Sequence, residues 1–360
     1  MKIAIDTQIA QGQKTGFGFY VQNLVENLKI IDHKNNYILI NPKSDKDLSA
    51  PKRFVWDQYG FPRLALKKKV DIIHQPCFSA PVLHGRAKLV LTCHDIIGIT
   101  FSKDLPFFSR QYFGKWMPFS YRYADKIICD SENTKNDLIR VLKIPKEKLK
   151  VIYLAASKLF KPVYDKNKID EVKKKYQIKD KYFLYLGTLN PRKNIELIIK
   201  VFARIYKNYP GYQLIISGKK TWHYQNLIKI VNDLNLEDQV IFTDYVPDED
   251  SLYLYNGSEI FLFPSLYEGF GLPPLEAMSC GRPVISSNAT SLKEIIGDGG
   301  VLVSPNDEKS WIKNIERVIK NKIFKNDLEG KALQQVKKFS WKKCAEETLK
   351  IYEEVYENCN

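Results

Sequence analysis

Short apolar runs of strand length recur along nearly the whole chain. Each is followed by a helix-like stretch, and the runs come in two series. This alternation constrains the fold more than any other feature of the 360 residues. The first series falls at 2–6, 37–41, 70–74, 88–93, 125–130 and 150–154; the second at 182–186, 212–217, 240–243, 260–263, 283–286 and 302–303. Spacing and capping predict helices over 19–30, from Ser131 onward, over 194–206, 224–234, 248–255 and 275–280, and from Glu308 to the end. Strands apolar on both faces and joined by helices mean parallel sheets covered on both sides. The expected class is α/β with two doubly wound domains, residues 1–160 and 161–340, and a last helix in 341–360 crossing back to the first. The Lys/Asp-rich stretch 155–180, with Lys161-Pro162, marks the join.

Composition removes several classes. With 44% hydrophobic and 27% charged residues the chain has ample material for a core, which excludes a disordered protein. Its apolar runs fall far short of the roughly 20 residues a membrane span needs. Met1–Asp6 reads as a strand and not as a secretory leader. Cys77, Cys93, Cys129, Cys280, Cys344 and Cys359 form no CxxC pair and are expected as small buried hydrophobes in reduced cytosol.

Of the net charge of +15, residues 1–160 carry +12, from 26 Lys+Arg against 14 Asp+Glu, and residues 161–360 carry +3, from 30 against 27. A basic first half suits an anionic surface. Residues 101–123 interleave aromatics with Lys103, Arg110, Lys115 and Arg122. That mixture fits a lipid headgroup layer, stacked bases of single-stranded nucleic acid, or a core helix with a basic edge.

Two such domains leave a cleft, and in open α/β sheets ligands sit beyond the carboxyl ends of strands. After the first run comes Gln13-Lys-Thr-Gly16-Phe-Gly18, where glycines let backbone N–H groups approach an anion. It is a poor dinucleotide fingerprint, because Val21 stands where the third glycine belongs, and a plain turn explains it equally. His94 ends the fourth run, placed either to bond a hydroxyl or phosphate or to be satisfied internally; His74 is read as the latter. Pro191-Arg192-Lys193 sets a fork and a point charge at a helix start, suited to a diphosphate or simply solvated. Ser217-Gly218-Lys219 repeats the theme. The densest arrangement spans 263–278, with Glu268 in a Gly-flanked loop and Glu276 on the following helix. Carboxylates accept from sugar hydroxyls, and exposed glycine amides donate to phosphate.

At this segment the chain resembles the retaining glycosyltransferases of the GT-B fold, in the large family 4 that includes many mannosyltransferases. The landmarks occur in order over essentially the whole chain: Thr15-Gly-Phe-Gly-Phe-Tyr20, Thr92-Cys-His-Asp95, Ile128-Cys-Asp-Ser-Glu132, Gly187–Asn194, Glu268–Glu276 and Gly281-Arg-Pro-Val-Ile285. The resemblance implies two Rossmann-like domains facing each other across a cleft, the first for an acceptor and the second for a nucleotide-sugar donor. It implies that Glu276 binds ribose hydroxyls and Glu268 a hydroxyl of the donor sugar. Amides of Gly269, Phe270, Gly271 and Leu272 would hold the diphosphate and sugar, Lys193 the diphosphate. Gly16 and Gly18 would line the donor from the first loop, with Gly218 and Lys219 adding an anion contact. Tyr245 and Val246 would meet the base, and His94 would stand near the reacting sugar. The family often carries an arginine where this chain has Thr188, and Arg192 is the candidate to supply that charge.

The implied reaction retains configuration at the anomeric carbon by front-face attack, without a glycosidase's carboxylate pair. Neither a cofactor nor a metal is implied, on the reading that no Asp-x-Asp is present and that cations and amides take the place of Mg²⁺. The Gly-Thr-Leu-Asn-Pro-Arg-Lys-Asn form resembles bacterial polysaccharide and O-antigen mannosyltransferases, which points to GDP-mannose, with UDP-glucose, UDP-N-acetylglucosamine and dTDP-rhamnose as alternatives. The acceptor would be a glycan or lipid-linked sugar of cell-surface polysaccharide or lipopolysaccharide. The basic aromatic half would dock on an anionic membrane, placing the protein in the cytoplasm at the inner face of the membrane. Two other classes compete. A nucleotide-sugar epimerase on the same fold conflicts with the Glu-x7-Glu context. A nucleic-acid-binding protein lacks any recognition motif.

Overall fold

The two series of apolar runs build two six-stranded sheets, all parallel, in the computed structural model, which describes residues 1–11, 16–42, 48–100, 106–179 and 181–357. The chain divides into two compact units, Met1–Leu154 with Ser340–Asn360, and Ala155–Phe339.

In the first unit the sheet runs β2 (Asn36–Ile40), β1 (Lys2–Asp6), β3 (Ile72–Gln75), β4 (Lys88–Cys93), β5 (Lys126–Cys129) and β6 (Leu149–Val151). Its central strands are buried on both faces, which is why they read as unbroken apolar runs. The last helix, Trp341–Glu357, packs on the first, Gly16–Ile31. Tyr352 reaches from it to His74, whose Nδ1 meets the phenol oxygen at 2.6 Å while Nε2 meets Thr92 Oγ1 at 2.9 Å. Burial lowers His74 to about 3, so it is a neutral structural link.

In the second unit the order is β12 (Val301–Val303), β11 (Val284–Ser287), β10 (Ile260–Phe263), β7 (Lys181–Leu186), β8 (Tyr212–Ser217) and β9 (Val240–Asp244). The chain lays down β7, β8 and β9 in one direction, then crosses back to place β10, β11 and β12 on the other side. Each sheet therefore has one point where its winding reverses: between β1 and β3 in the first, between β7 and β10 in the second. Such a point leaves a crevice at the strands' carboxyl ends.

The structure corrects several sequence-based boundaries. The first helix begins at Gly16 and not at 19. The helix expected at 275–280 is Leu272–Ser279, with both Pro273 and Pro274 inside its first turn. Ala50–Val55, Trp56–Gly60 and Phe61–Lys67 are helical where none was expected, each α segment admitting a proline near its start. The five described cysteines are buried and free; Cys359 lies outside the described residues.

Candidate active site

The reversal point of the second sheet gathers three of the expected side chains. Beyond β7 a short 3₁₀ turn, Pro191–Lys193, carries Arg192 and Lys193, and beyond β10 the chain enters the loop of Glu268. Two backbone contacts stitch the loops together: Leu266 N–H donates to the Arg192 carbonyl at 2.8 Å, and Arg192 Nη1 donates to the Tyr267 carbonyl at 2.7 Å. Glu268 Oε1 then receives Lys193 Nζ at 2.5 Å, Ser265 Oγ at 2.6 Å and Arg192 Nη1 at 3.1 Å. None of these three bonds goes to Oε2. Glu268 and Lys193 are 7% and 6% exposed, and the Lys193 ammonium lies 4.9 Å from the centroid of the Phe263 ring. Burial alone would raise the Glu268 carboxyl, but Lys193 and Arg192 outweigh it and hold it below the ordinary range. The site thus holds a firmly ionised carboxylate between two cations.

The Glu268 loop is fastened from β11. Thr290 Oγ1 accepts from Glu268 N–H at 2.9 Å, and Ser291 Oγ donates to the Glu268 and Phe270 carbonyls at 2.9 and 2.8 Å. Gly271, at φ 117°, turns the chain into Leu272–Ser279. Of the first three residues of that helix, Leu272, Pro273 and Pro274, Leu272 alone carries a backbone N–H. Glu276 sits on this helix and accepts from Tyr255 O–H at 2.9 Å. Here no cation opposes burial: desolvation pushes Glu276 up to about 7, with Asp248 adding to the shift and Tyr255 working against it. Of the two carboxylates, one is locked charged and the other titrates near neutrality.

Residues 167–335 match the family described as Glycosyl transferases group 1, and residues 32–156 match Glycosyltransferase Family 4. The chain is 34% identical over 308 residues to the O-antigen chain mannosyltransferase B of Escherichia coli, covering 85% of this chain and 78% of that one. This chain belongs to glycosyltransferase family 4. Membership makes it a retaining hexosyltransferase. It is also 33% identical over 273 residues to the serotype-specific mannosyltransferase WbdA of Escherichia coli, covering 73% of this chain but only 33% of that much longer protein. Among solved structures, the sucrose-phosphate synthase of Thermosynechococcus elongatus superposes with a TM-score of 0.77 at 21% identity, covering 99% of this chain and 100% of that one. Anabaena HepE in complex with UDP-glucose superposes with 0.73 at 18% identity, covering 98% and 100%. The fold is GT-B.

Elsewhere in this glycosyltransferase the expected residues have mixed surroundings. Thr188 and Lys219 are exposed just beyond β7 and β8. Gly218, at φ 142°, lies so close to Gly187 that a Cβ would fall 2.0 Å from the Gly187 oxygen, and its N–H is already given to the Asp244 carbonyl at 2.8 Å. Its evident work is to let two loops pass. Tyr245 is half exposed, and Val246 beside it is buried.

In the first unit Gly16 opens the first helix and Gly18 is buried against Ile9. Phe17 between them stacks on His94 at 4.8 Å. His94 is 8% exposed with both ring nitrogens engaged, Nδ1 with the Asp130 carboxylate at 2.6 Å and Nε2 with the Pro76 carbonyl at 2.9 Å. Burial works against its charge, yet Asp130 prevails and raises it above the usual range. Both partners accept, so an imidazolium satisfies both.

Gln13, Lys14 and Thr15 of the first loop, and Lys103, lie outside the described residues. The reading that the chain has no Asp-x-Asp is corrected by two such triplets. Asp45-Lys-Asp47 lies outside the described residues, and Asp248-Glu-Asp250 starts a helix where Asp250 is bonded by Lys175 and Tyr176, each at 2.6 Å. Sequence reasoning missed Ser265, Thr290, Ser291, Tyr255 and Asp130 as partners. Only Asp130 carried a usable signal, being an acid at the end of an apolar strand.

Proposed function

We propose that this glycosyltransferase moves mannose from GDP-mannose to a glycan or lipid-linked acceptor in the synthesis of cell-surface polysaccharide, lipopolysaccharide in particular. The observation that carries the sugar is the similarity to the O-antigen chain mannosyltransferase B of Escherichia coli over most of both chains. The geometry around Glu268 supports the donor role. Glu268 Oε2 takes a hydroxyl of the donor sugar while Oε1 stays tied to Lys193, Arg192 and Ser265. Lys193 and Arg192 face the diphosphate as its charge develops, and Glu276 takes the ribose hydroxyls. The acceptor oxygen attacks the anomeric carbon on the face from which the diphosphate leaves. The carbon–oxygen bond to phosphate breaks with its electron pair on the diphosphate, which receives the acceptor's proton. Thr188 offers no charge at its position, and Arg192 supplies it there while its Nη1 holds the Tyr267 carbonyl. Gly16, Gly18, Gly218, Lys219, Tyr245 and Val246 complete the donor contacts in this reading, and His94 orients the sugar through its ion pair with Asp130.

The acceptor is presented at a membrane. Among the described residues no helix is long and apolar enough to cross one. Phe107 and Phe108 are 60% and 68% exposed, with Arg110, Lys115 and Arg122 exposed around them. Such a surface suits the anionic inner face of the cytoplasmic membrane.

Thermal stabilisation by GDP, UDP and dTDP, each in excess, tests the donor. A ligand at 100 times its dissociation constant adds about 2.7 kcal/mol. A shift with GDP alone is the expected result. A shift with UDP or dTDP alone replaces mannose by a glucosyl, N-acetylglucosaminyl or rhamnosyl donor.

A further inference from the structure

The reversal point of the first sheet holds a second polar cluster, in which β1 ends in Asp6 and β3 in Gln75 on neighbouring strands. Asp6 Oδ2 accepts from Trp56 Nε1 at 3.0 Å and from Gln75 Nε2 at 3.1 Å. Arg53 Nη2 donates to Gln8 Oε1, and Asp57 Oδ2 accepts from Ser79 Oγ at 2.8 Å and from the Tyr112 hydroxyl. Arg53, Asp57 and Gln75 are all buried, at 2%, 0% and 0% exposure.

Four features of this cluster do not suit a merely structural network. First, three of its buried atoms have no hydrogen-bond partner among the described residues: Arg53 Nη1, Asp57 Oδ1 and Gln75 Oε1. A buried polar atom left unpaired is destabilising. Second, Asp57 and Tyr112 come from two separate π-helical turns, Trp56–Gly60 and Tyr112–Trp116. Such turns are rare and favour functional sites. Third, Phe78 stands at φ 66°, a costly conformation for a bulky residue, with its partly exposed ring 4.3 Å from the Arg53 guanidinium. Fourth, the cluster lies where an open α/β sheet binds its ligand.

We infer that this cluster is a saccharide subsite, in which Arg53, Asp57 and Gln75 take hydroxyls of one acceptor sugar once Phe78 moves off Arg53. The unpaired set is one donor and two acceptors. A vicinal diol matches it, giving two hydroxyl protons to Asp57 and Gln75 and accepting from Arg53. A phosphate has no protons for the two acceptors and meets the Asp57 carboxylate unfavourably. The ligand's role as acceptor rests on the proposed function; its binding here does not.

The test uses the full chain and a panel of octyl glycosides: α-mannoside, β-glucoside, β-galactoside and N-acetyl-β-glucosaminide. Amide hydrogen exchange is expected to slow at least three-fold in segments 53–60 and 108–116 with one or more of them. No slowing with any overturns the inference. Asp57→Asn keeps the volume and turns the open acceptor into a donor. It is expected to weaken glycoside binding at least ten-fold while stabilisation by nucleotide persists. Unchanged glycoside affinity, or loss of glycoside and nucleotide binding together, overturns it. If Asp57→Asn does not fold, exchange on the unaltered chain decides. Failure of GDP, UDP and dTDP all to stabilise the unaltered chain sinks the donor reading alone, since glycoside protection is measured without them.

Discussion

Glu276 and Glu268 differ in whether a cation opposes their burial, and the difference is measurable. Glu276 titrates at about 7 in the folded chain against an ordinary 4.5. Between those values the folded chain keeps a proton that the unfolded chain has lost. This group's contribution to stability therefore declines as pH rises from about 4.5 to 7, and above 7 its buried charge is a burden. Glu276→Gln should raise Tm at pH 8 relative to the parent while weakening nucleotide binding about ten-fold, and nucleotide affinity of the parent should climb as pH passes 7. Calorimetric titration checks both, and equal affinities would remove Glu276 from the nucleotide site. Lys193→Ala leaves Glu268 buried with Arg192 as its one cation. Urea unfolding should register a loss of about 3 kcal/mol, and donor turnover should drop with it; normal turnover would break the assignment. Glu268, Glu276 and Lys193 were legible in sequence because charged residues beside glycines and apolar strands are uncommon neighbours. Ser265, Thr290 and Ser291 were not, since a hydroxyl's value depends on which carbonyl or carboxylate the fold brings within reach.

Elements were legible where apolar periodicity survives. Strands β4, β8 and β10 begin and end where the apolar runs do, because buried parallel strands tolerate few polar interruptions. The segment from Ala50 to Lys67 was illegible because Pro51, Gly60 and Pro62 break its period, while a π turn joins its helices. The Leu272–Ser279 helix was legible as an element with proline in its first turn, but its start was read at 275 because the two prolines leave no apolar period before Leu275. The loop ends of β7 and β8 depend on a contact no pattern reveals, the passage of Gly218 over Gly187. Gly218→Ala combines that collision with an unfavourable φ and should cost about 2 kcal/mol or more. A thermal melt unchanged within a degree would show that the loops part readily.

At the scale of the whole molecule, charge is unevenly distributed, with +12 in residues 1–160 and +3 in the rest. Phe107→Ala with Phe108→Ala should lower binding to vesicles containing anionic lipid about ten-fold. Raising salt should weaken parent and variant alike, because the lysines and arginines remain. Unchanged vesicle binding by the double variant would return those rings to a purely structural role. The return of Trp341–Glu357 to the first unit carries a consequence for biosynthesis. Ala155–Phe339 is one uninterrupted segment and is complete before the last helix is made. The first unit begins earlier and finishes later: its sheet is synthesised first, yet the helix bearing Tyr352 follows the whole of the second unit. The second unit can mature as soon as it is made, whereas the first waits for a helix made after its neighbour is complete.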